Sequence, residues 1–450
     1  MSPLLPAQRR FTRRRRRMVV GLATAVSAAV LLSACNGTIS TSDRKNAASG
    51  YDKNADVTLT WWTGQTPEAQ KTAEQLAQQY HQLHPNVTIK TSAGAATADE
   101  LLPKITAGYK NGSYPDISYA YGSWAGQLAD GGHTQDLTDY VGQPEFGWED
   151  FPGAAQRTAT VNGIVIGVPA LVDNLALIYN KKIFSEAGVR PPTDSWTWDQ
   201  FRSAAKQLTD PEKGIYGTAY SVAGGEDTTW HLWPLLWQRG GAILSGKKPV
   251  FNSPEGVAAL ETLRAIAVDD KSMYLDPTDE KYGALFRQGK IGMMMSGPWE
   301  LLELAQTDVS YGVVQLPGFK GDHQTVSGPD LWVLFDHDDA DRAGASREFV
   351  KWLTSKDVDA KWNLAIGNLP VRDIEQFTPA FFAYTQEYPG GREFFRNLEN
   401  ARQSRPTVSG YDDMSRNVGE AIASVLLGRA KPKQALDLAA AKSKAPLSGG

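Results

Sequence analysis

Cysteine is nearly absent from this 450-residue chain, with Cys35 the only one. A single cysteine cannot close an intramolecular disulfide. A catalytic thiol needs an electropositive pocket around it, whereas Cys35 sits between the apolar run ending in Leu32-Ser33-Ala34 and a polar stretch. Histidine is scarce too, six in all. There is no G-x-S-x-G, no HExxH, no Walker loop and no G-x-G-x-x-G. His81 and His84 sit three apart with no carboxylate cluster beside them, which reads as a solvated helix face rather than a metal site. No metal and no cofactor are expected. Long apolar runs are missing as well: the longest, Met18 to Leu32, has fifteen residues, too short at about 1.5 Å per residue to cross a bilayer core of about 30 Å.

That short run has meaning through its flanks. Upstream lie Arg9, Arg10 and Arg13 to Arg17 with no acid; downstream come small residues and Cys35. A basic start, a short apolar middle and a small-residue end describe an export signal. Leu32-Ser33-Ala34-Cys35 resembles the bacterial lipobox, which implies removal of residues 1–34 and lipidation of Cys35. The arginine cluster hints at twin-arginine export, but Arg15 to Arg17 stand where that signal has apolar residues, which favours the general route. Residues 35–56 contain little to bury and read as a flexible tether on the outer face of the membrane, about 25 Å long as a coil. Those seven arginines leave 39 basic residues against 50 acids in the mature chain, a net charge of −11. An acidic chain without basic runs is a poor nucleic-acid partner.

Some 395 residues remain after the tether, too many for one ordinary core, so two domains are expected. "DVTLTWWTG" alternates and ends at Gly64, a strand. A helix capped by Thr66-Pro67 follows, then "NVTIKT", a helix, and "PDISYAYG". Strand, helix, strand, helix, strand is the pattern of a parallel α/β sheet. It resumes with "LALIYN", "GIYGTAY", "KIGMMMSGPW" and "YGVVQLPG", and the chain ends in helices.

Aromatic residues gather where these strands end: Trp62 before Thr63-Gly64; Tyr119, Tyr121 and Trp124; and Trp299 after Gly297-Pro298. Ligands of α/β sheets lie beyond the carboxyl ends of strands. A pyranose offers an apolar face to such rings and a rim of hydroxyls that needs paired donors and acceptors. Asp173 and Asn174 precede a strand and suit that rim, or equally a turn. Glu226 and Asp227 precede Trp230, Trp233 and Trp237, whose spacing puts one or more of them in a core.

Together the lipobox, "VTLTWWTG", "HPNVTIK", "YPDIS", "GVPALVDNLALIYNKKIFSEAGV", "WTWDQF", "KIGMMMSGPW", "YGVVQLPG" and "FVKWLT" resemble family 1 extracellular solute-binding proteins, the sugar-capturing subunits of ABC importers in the maltose-binding and glycerol-3-phosphate-binding group. The resemblance implies a two-lobed α/β fold of periplasmic-binding-protein type II, each lobe a mainly parallel sheet flanked by helices. Lobe one would be 51–171 plus 318–355 and lobe two 172–317 plus 356–450, hinged at "VPALVD" and "VVQLPG". It implies a monomer that closes over a carbohydrate and serves ABC permease transmembrane subunits. The ligand-binding residues it implies are Trp62, Thr63, Trp124, Asp173, Asn174, Glu226, Trp230, Trp299, Ser327, Gly328 and Asp330, with Arg405 and Tyr411. "DDMSRNV" has no aromatic where maltose binders have one, which argues against a long maltodextrin. Two other readings stay open here: a lipoprotein glycoside hydrolase, and a binder of a sugar or polyol phosphate.

Overall fold

The computed structural model describes residues 46–278 and 281–449. Cys35, the export signal and the first ten residues of the expected tether lie outside the described residues. Ten strands form the two main sheets. In chain order they are β1 Val57–Trp62, β2 Val87–Ser92, β3 Ile117–Ala120, β4 Gly167–Leu171, β5 Ala176–Asn180, β6 Tyr216–Ser221, β7 Met273–Asp276, β8 Ile291–Ser296, β9 Tyr311–Val314 and β10 Asp330–Leu334. The first sheet has the order β2-β1-β3-β10-β4 and the second β7-β6-β8-β5-β9.

Each sheet carries one reversed strand. β10 is antiparallel to both β3 and β4, and β5 is antiparallel to both β8 and β9; the remaining pairs are parallel. Topology explains this. β4 leaves the first sheet at its carboxyl end, and four residues later the chain enters the second sheet as β5. The return from the second sheet enters the first as β10. A strand that enters from the neighbouring lobe starts at the edge where its companions end, so it runs against them. The reversed strands therefore mark the crossings and point the carboxyl ends of both sheets at one shared gap.

The crossings run side by side. Asp173 and Gly328 exchange backbone hydrogen bonds, Gly328 N to Asp173 O at 3.0 Å and Asp173 N to Gly328 O at 3.3 Å. Leu369 N donates to Val172 O, and Val326-Ser327 pairs in parallel with Gln403-Ser404. The second crossing is thus "TVSGPD", not "VVQLPG". Val313 and Val314 pair with β5, Leu316 is buried in the second lobe's core, and Gly318 bridges to Thr197. Residues 318–324 consequently stay with lobe two. The helix Lys356–Ala365 corrects the boundary in the other direction, because its Trp362 packs against Trp61 and Trp332 of lobe one, ring centroids 5.5 and 5.8 Å apart. A third crossing follows later, between Arg372, which still packs on Asp150 and Phe151 of lobe one, and Phe381 in a lobe-two core.

Hydrophobic alternation fills the cores. In β8, Met293 and Met295 face one core while Met294 faces another on the opposite side of the sheet. Residues 46–56 are docked rather than free, which shortens the expected tether. Asp52 N donates to Asp341, Arg347 donates to the Asn46 side chain, and Tyr51 lies against Gly344. Among the described residues no helix is long and apolar enough to cross a membrane.

Candidate functional site

The shared gap is a cavity of about 630 Å³. Lobe one lines it with Gly64, Gln65, Thr66, Asp99, Tyr119 and Tyr121, all at or after the ends of strands or at a helix start. Lobe two supplies Asp227, Trp230, Tyr282, Arg287, Trp299 and Glu300. The crossings and the segments beside them contribute Asp173, Asp330, Asn368 and Arg405. A second compartment of about 300 Å³ shares Asp99, Tyr121 and Glu226 with the first. It extends between Leu102, Pro103 and Trp124 on one side and Asp412, Asp413 and Arg416 on the other.

At the junction Arg405 ties the lobes together. It donates to Asp330 Oδ1 at 3.0 Å in lobe one and to Glu226 Oε1 at 3.3 Å in lobe two. Its guanidinium also lies over the rings of Trp230, 4.4 Å from the centroid, and Tyr121, 5.3 Å. Burial works against this charge, but Asp330 and Glu226 outweigh it and raise the arginine's pKa. The acids are held by further contacts. Tyr119 donates to Asp330 Oδ2 at 2.5 Å and Gly122 N to Asp330 Oδ1; Tyr411 and Ser415 both donate to Glu226. Burial still pushes Asp330 and Glu226 above the usual carboxylate range, against the pull of Arg405. Asp173 is pushed further up, by burial and then by Asp330. Its Oδ1 and the buried indole Nε1 of Trp230 have no hydrogen-bond partner in the protein. Glu300 is raised to about 7, by burial and against Arg287.

Glycine makes this packing possible. A Cβ on Gly328 would lie 1.9 Å from Asp173 Oδ1 and 2.6 Å from Trp230. Gly64, at φ +66°, would meet Leu101 and Tyr119 at 2.8 Å.

Of the residues expected from sequence, Trp124, Asp173, Glu226, Trp230, Trp299, Asp330 and Arg405 line the cavity or its extension. Six others do not line either compartment. Trp62 is half-buried under Lys104, 4.7 Å from its ring, because its side chain leaves the strand toward Gly94. Thr63 is fully buried and bonded to Gln70. Asn174 is fully buried, donating to Phe394 O and accepting from Asn397, so it pins the crossing to lobe two. Ser327 is buried in the crossing pair, and Tyr411 acts through Glu226. Gly328 provides space, not a contact. Sequence reasoning left Asp99, Tyr282, Arg287 and Glu300 unassigned; only Glu300 carried a signal, its place beside Trp299 at a strand's carboxyl end. Among the described residues no cluster of His, Cys, Asp and Glu has metal-binding geometry.

Two lobes joined by three crossings, with a polar and aromatic cleft between their strand ends, define a cleft-type solute-binding protein. The chain belongs to the bacterial extracellular solute-binding proteins, whose family model matches residues 75–386. It is similar to the cyclic α-maltosyl-1,6-maltose binding protein from Arthrobacter globiformis, with a TM-score of 0.75 and 26% identity over 88% of this chain and all of that one. It is also similar to the maltotriose-binding protein of Pyrococcus abyssi (strain GE5 / Orsay), 23% identical over 69% of this chain and 65% of the relative. UgpB from Mycobacterium tuberculosis, solved with glycerophosphocholine, shares the fold at a TM-score of 0.78 and 18% identity over 87% of this chain and 99% of that one. Members of this family act outside the cytoplasm.

Proposed function

We propose that this protein captures a carbohydrate of one to a few rings in the interlobe cleft and delivers it to the permease subunits of an ABC importer. The observation that carries the reading is a cleft with aromatic rings and carboxyls contributed by both lobes, Tyr119, Tyr121 and Asp330 facing Trp230, Trp299 and Glu226. Rings cover the C–H faces of a sugar, and carboxyls and amides pair its hydroxyls. The volume falls in the range of ligand sites, roughly 300–1,000 Å³, and the second compartment gives room for more than one ring. The sugar specificities of the two relatives named above support the same reading. A phosphate ester fits less well, since Arg405 and Arg287, the two cations of the main cavity, are both engaged with carboxylates.

Free energy for closure would come from contacts made only when both lobes meet the ligand, a population shift toward the closed form. The test is a thermal-shift screen over mono-, di- and oligosaccharides and polyol phosphates, because a ligand that binds only the folded state raises the midpoint. Stabilisation by a sugar that is recovered unchanged supports a binder. Turnover of a labelled oligosaccharide would identify a glycosidase instead.

We also propose attachment to the outer face of the membrane through Cys35. Cys35→Ala is expected to leave sugar affinity unchanged and to release the protein from membranes; quantitative membrane fractionation of the cleaved variant would overturn the anchor.

A further inference from the structure

The charge balance of the cleft goes beyond its capacity for sugars. Six carboxyls line the main cavity: Asp99, Asp173, Glu226, Asp227, Glu300 and Asp330. Against them stand Arg287 and Arg405, and neither guanidinium is spare. Arg405 is held by Asp330 and Glu226, and Arg287 lies 3.4 Å from Glu300 and 3.8 Å from Glu303. Asp227 has the His231 ring 3.5 Å away. Among the described residues Asp99 and Asp173 take part in no ion pair.

Asp173 is the informative one. It is 91% buried, borders the cavity, and its Oδ1 has no hydrogen-bond partner. An unsatisfied buried acceptor is costly, and a donor reaching Asp173 from the cleft would relieve that cost. A neutral hydroxyl supplies an ordinary hydrogen bond. An ammonium supplies a charge-assisted one, about twice as strong, and favours the ionised form of a carboxyl that burial pushes toward the protonated one. An anion would meet no uncommitted cation in the cavity. The rings favour the same answer, since Trp230 and Tyr121 already hold one cation, Arg405, against their faces.

We propose that the ligand is cationic: an amine-bearing sugar or aminocyclitol whose ammonium lies against Asp173. This rests on the carbohydrate reading and sharpens it. Calorimetric titration of the protein with two matched sets tests it. One set is D-glucosamine, D-glucose and D-glucose 6-phosphate; the other is the β-1,4-linked glucosamine dimer, cellobiose and cellobionate, all at pH 6.5. The amine is expected to bind at least ten-fold tighter than its neutral partner in the set that fits, and its affinity is expected to fall as NaCl is raised while the neutral partner's holds. Asp173→Asn should weaken the amine at least ten-fold and the neutral sugar less. Asp99→Asn provides the same comparison if the Asp173 variant folds poorly. Neutral sugars binding as tightly as the amines would overturn the positive charge and leave the carbohydrate reading standing. An anion binding tightest would overturn the charge as well. If no member of either set bound, both readings would fall together.

Discussion

Two clusters in this molecule use the same ingredients: two buried acids, an arginine and an aromatic ring, beside a crossing between lobes. In the cleft, Asp330 and Asp173 sit with Arg405, which lies over Trp230 and Tyr121. Away from it, Asp359 and Glu375 sit with Arg372, which lies 4.0 Å over Phe151. Their geometry differs. Arg405 makes hydrogen bonds of 3.0 and 3.3 Å to acids of opposite lobes. Arg372 comes no nearer than 3.7 Å to Asp150 and 4.0 Å to Glu375, and its Nε has no partner. The first cluster borders the main cavity and contains an acceptor without a partner, Asp173 Oδ1. The second lies away from the main cavity, with Glu375 fully buried and both of its carboxyl oxygens without a partner. Residue types therefore do not distinguish a site from a structural knot; the distinction lies in which cluster borders the cavity between the lobes.

The sharpest way to break the comparison is to remove the arginines. Arg405→Ala strands Asp330 and Glu226 in a buried place, which typically costs about 3–5 kcal/mol. Stability in denaturant should fall by that amount, and sugar affinity should be lost with it. Arg372→Ala should cost stability without touching affinity. An Arg405→Ala protein that bound sugar normally would remove the clasp from the site.

The tryptophans allow a second contrast. Trp61 is fully buried, packed edge-on against Trp332 and Phe349, each with centroids 5.3 Å away. Trp299 borders the cavity and is only partly buried. Trp61→Ala should cost about 3–5 kcal/mol of stability and leave the affinity of the folded fraction intact. Trp299→Ala should cost binding about 1–3 kcal/mol, roughly 5- to 150-fold, and stability much less. Trp299→Phe should recover part of the affinity. The reverse pattern at Trp299, a destabilised variant that binds normally, would return this ring to the core.

Much of this was legible in the sequence, and what escaped has physical reasons. Period-two runs and capped helices gave both sheets, and the strand-end rule picked out Trp299 and Trp124, which border the two compartments, while Asp330 was reached only through the family resemblance. The rule failed at Trp62, because successive side chains of a strand leave on opposite faces and periodicity does not say which way the last one turns. The second crossing was misjudged since "VVQLPG" has the proline and small residues of a hinge, yet its partner strand β5 holds it in lobe two. Asn174 resembled a sugar ligand because an amide serves a turn and a hydroxyl equally well. Asp99 and Arg287 reach the cavity from loop and helix positions that no local pattern marks.

The mildest variant probes the second cluster through pH. Burial first, and then Asp359, raises the Glu375 carboxyl from 4.5 to about 11, so the folded protein keeps a proton there that the unfolded chain releases above about pH 4.5. Its contribution to stability is accordingly complete below that pH and lost progressively as the pH rises toward 11. One proton gives a slope of at most about 1.4 kcal/mol per pH unit. Glu375→Gln keeps the shape and cannot ionise. Near pH 4.5 it should change stability little, while between pH 6 and 9 the variant should lose stability less steeply than the parent in urea titrations. The slope should not vanish, because Asp173, Asp330, Glu226 and Glu300 are raised too and act with the same sign. Sugar affinity measured across the same range should be the same in both proteins, as Glu375 does not border the main cavity. Parallel stability curves would show that the Asp359–Glu375 pair is ionised in the folded state.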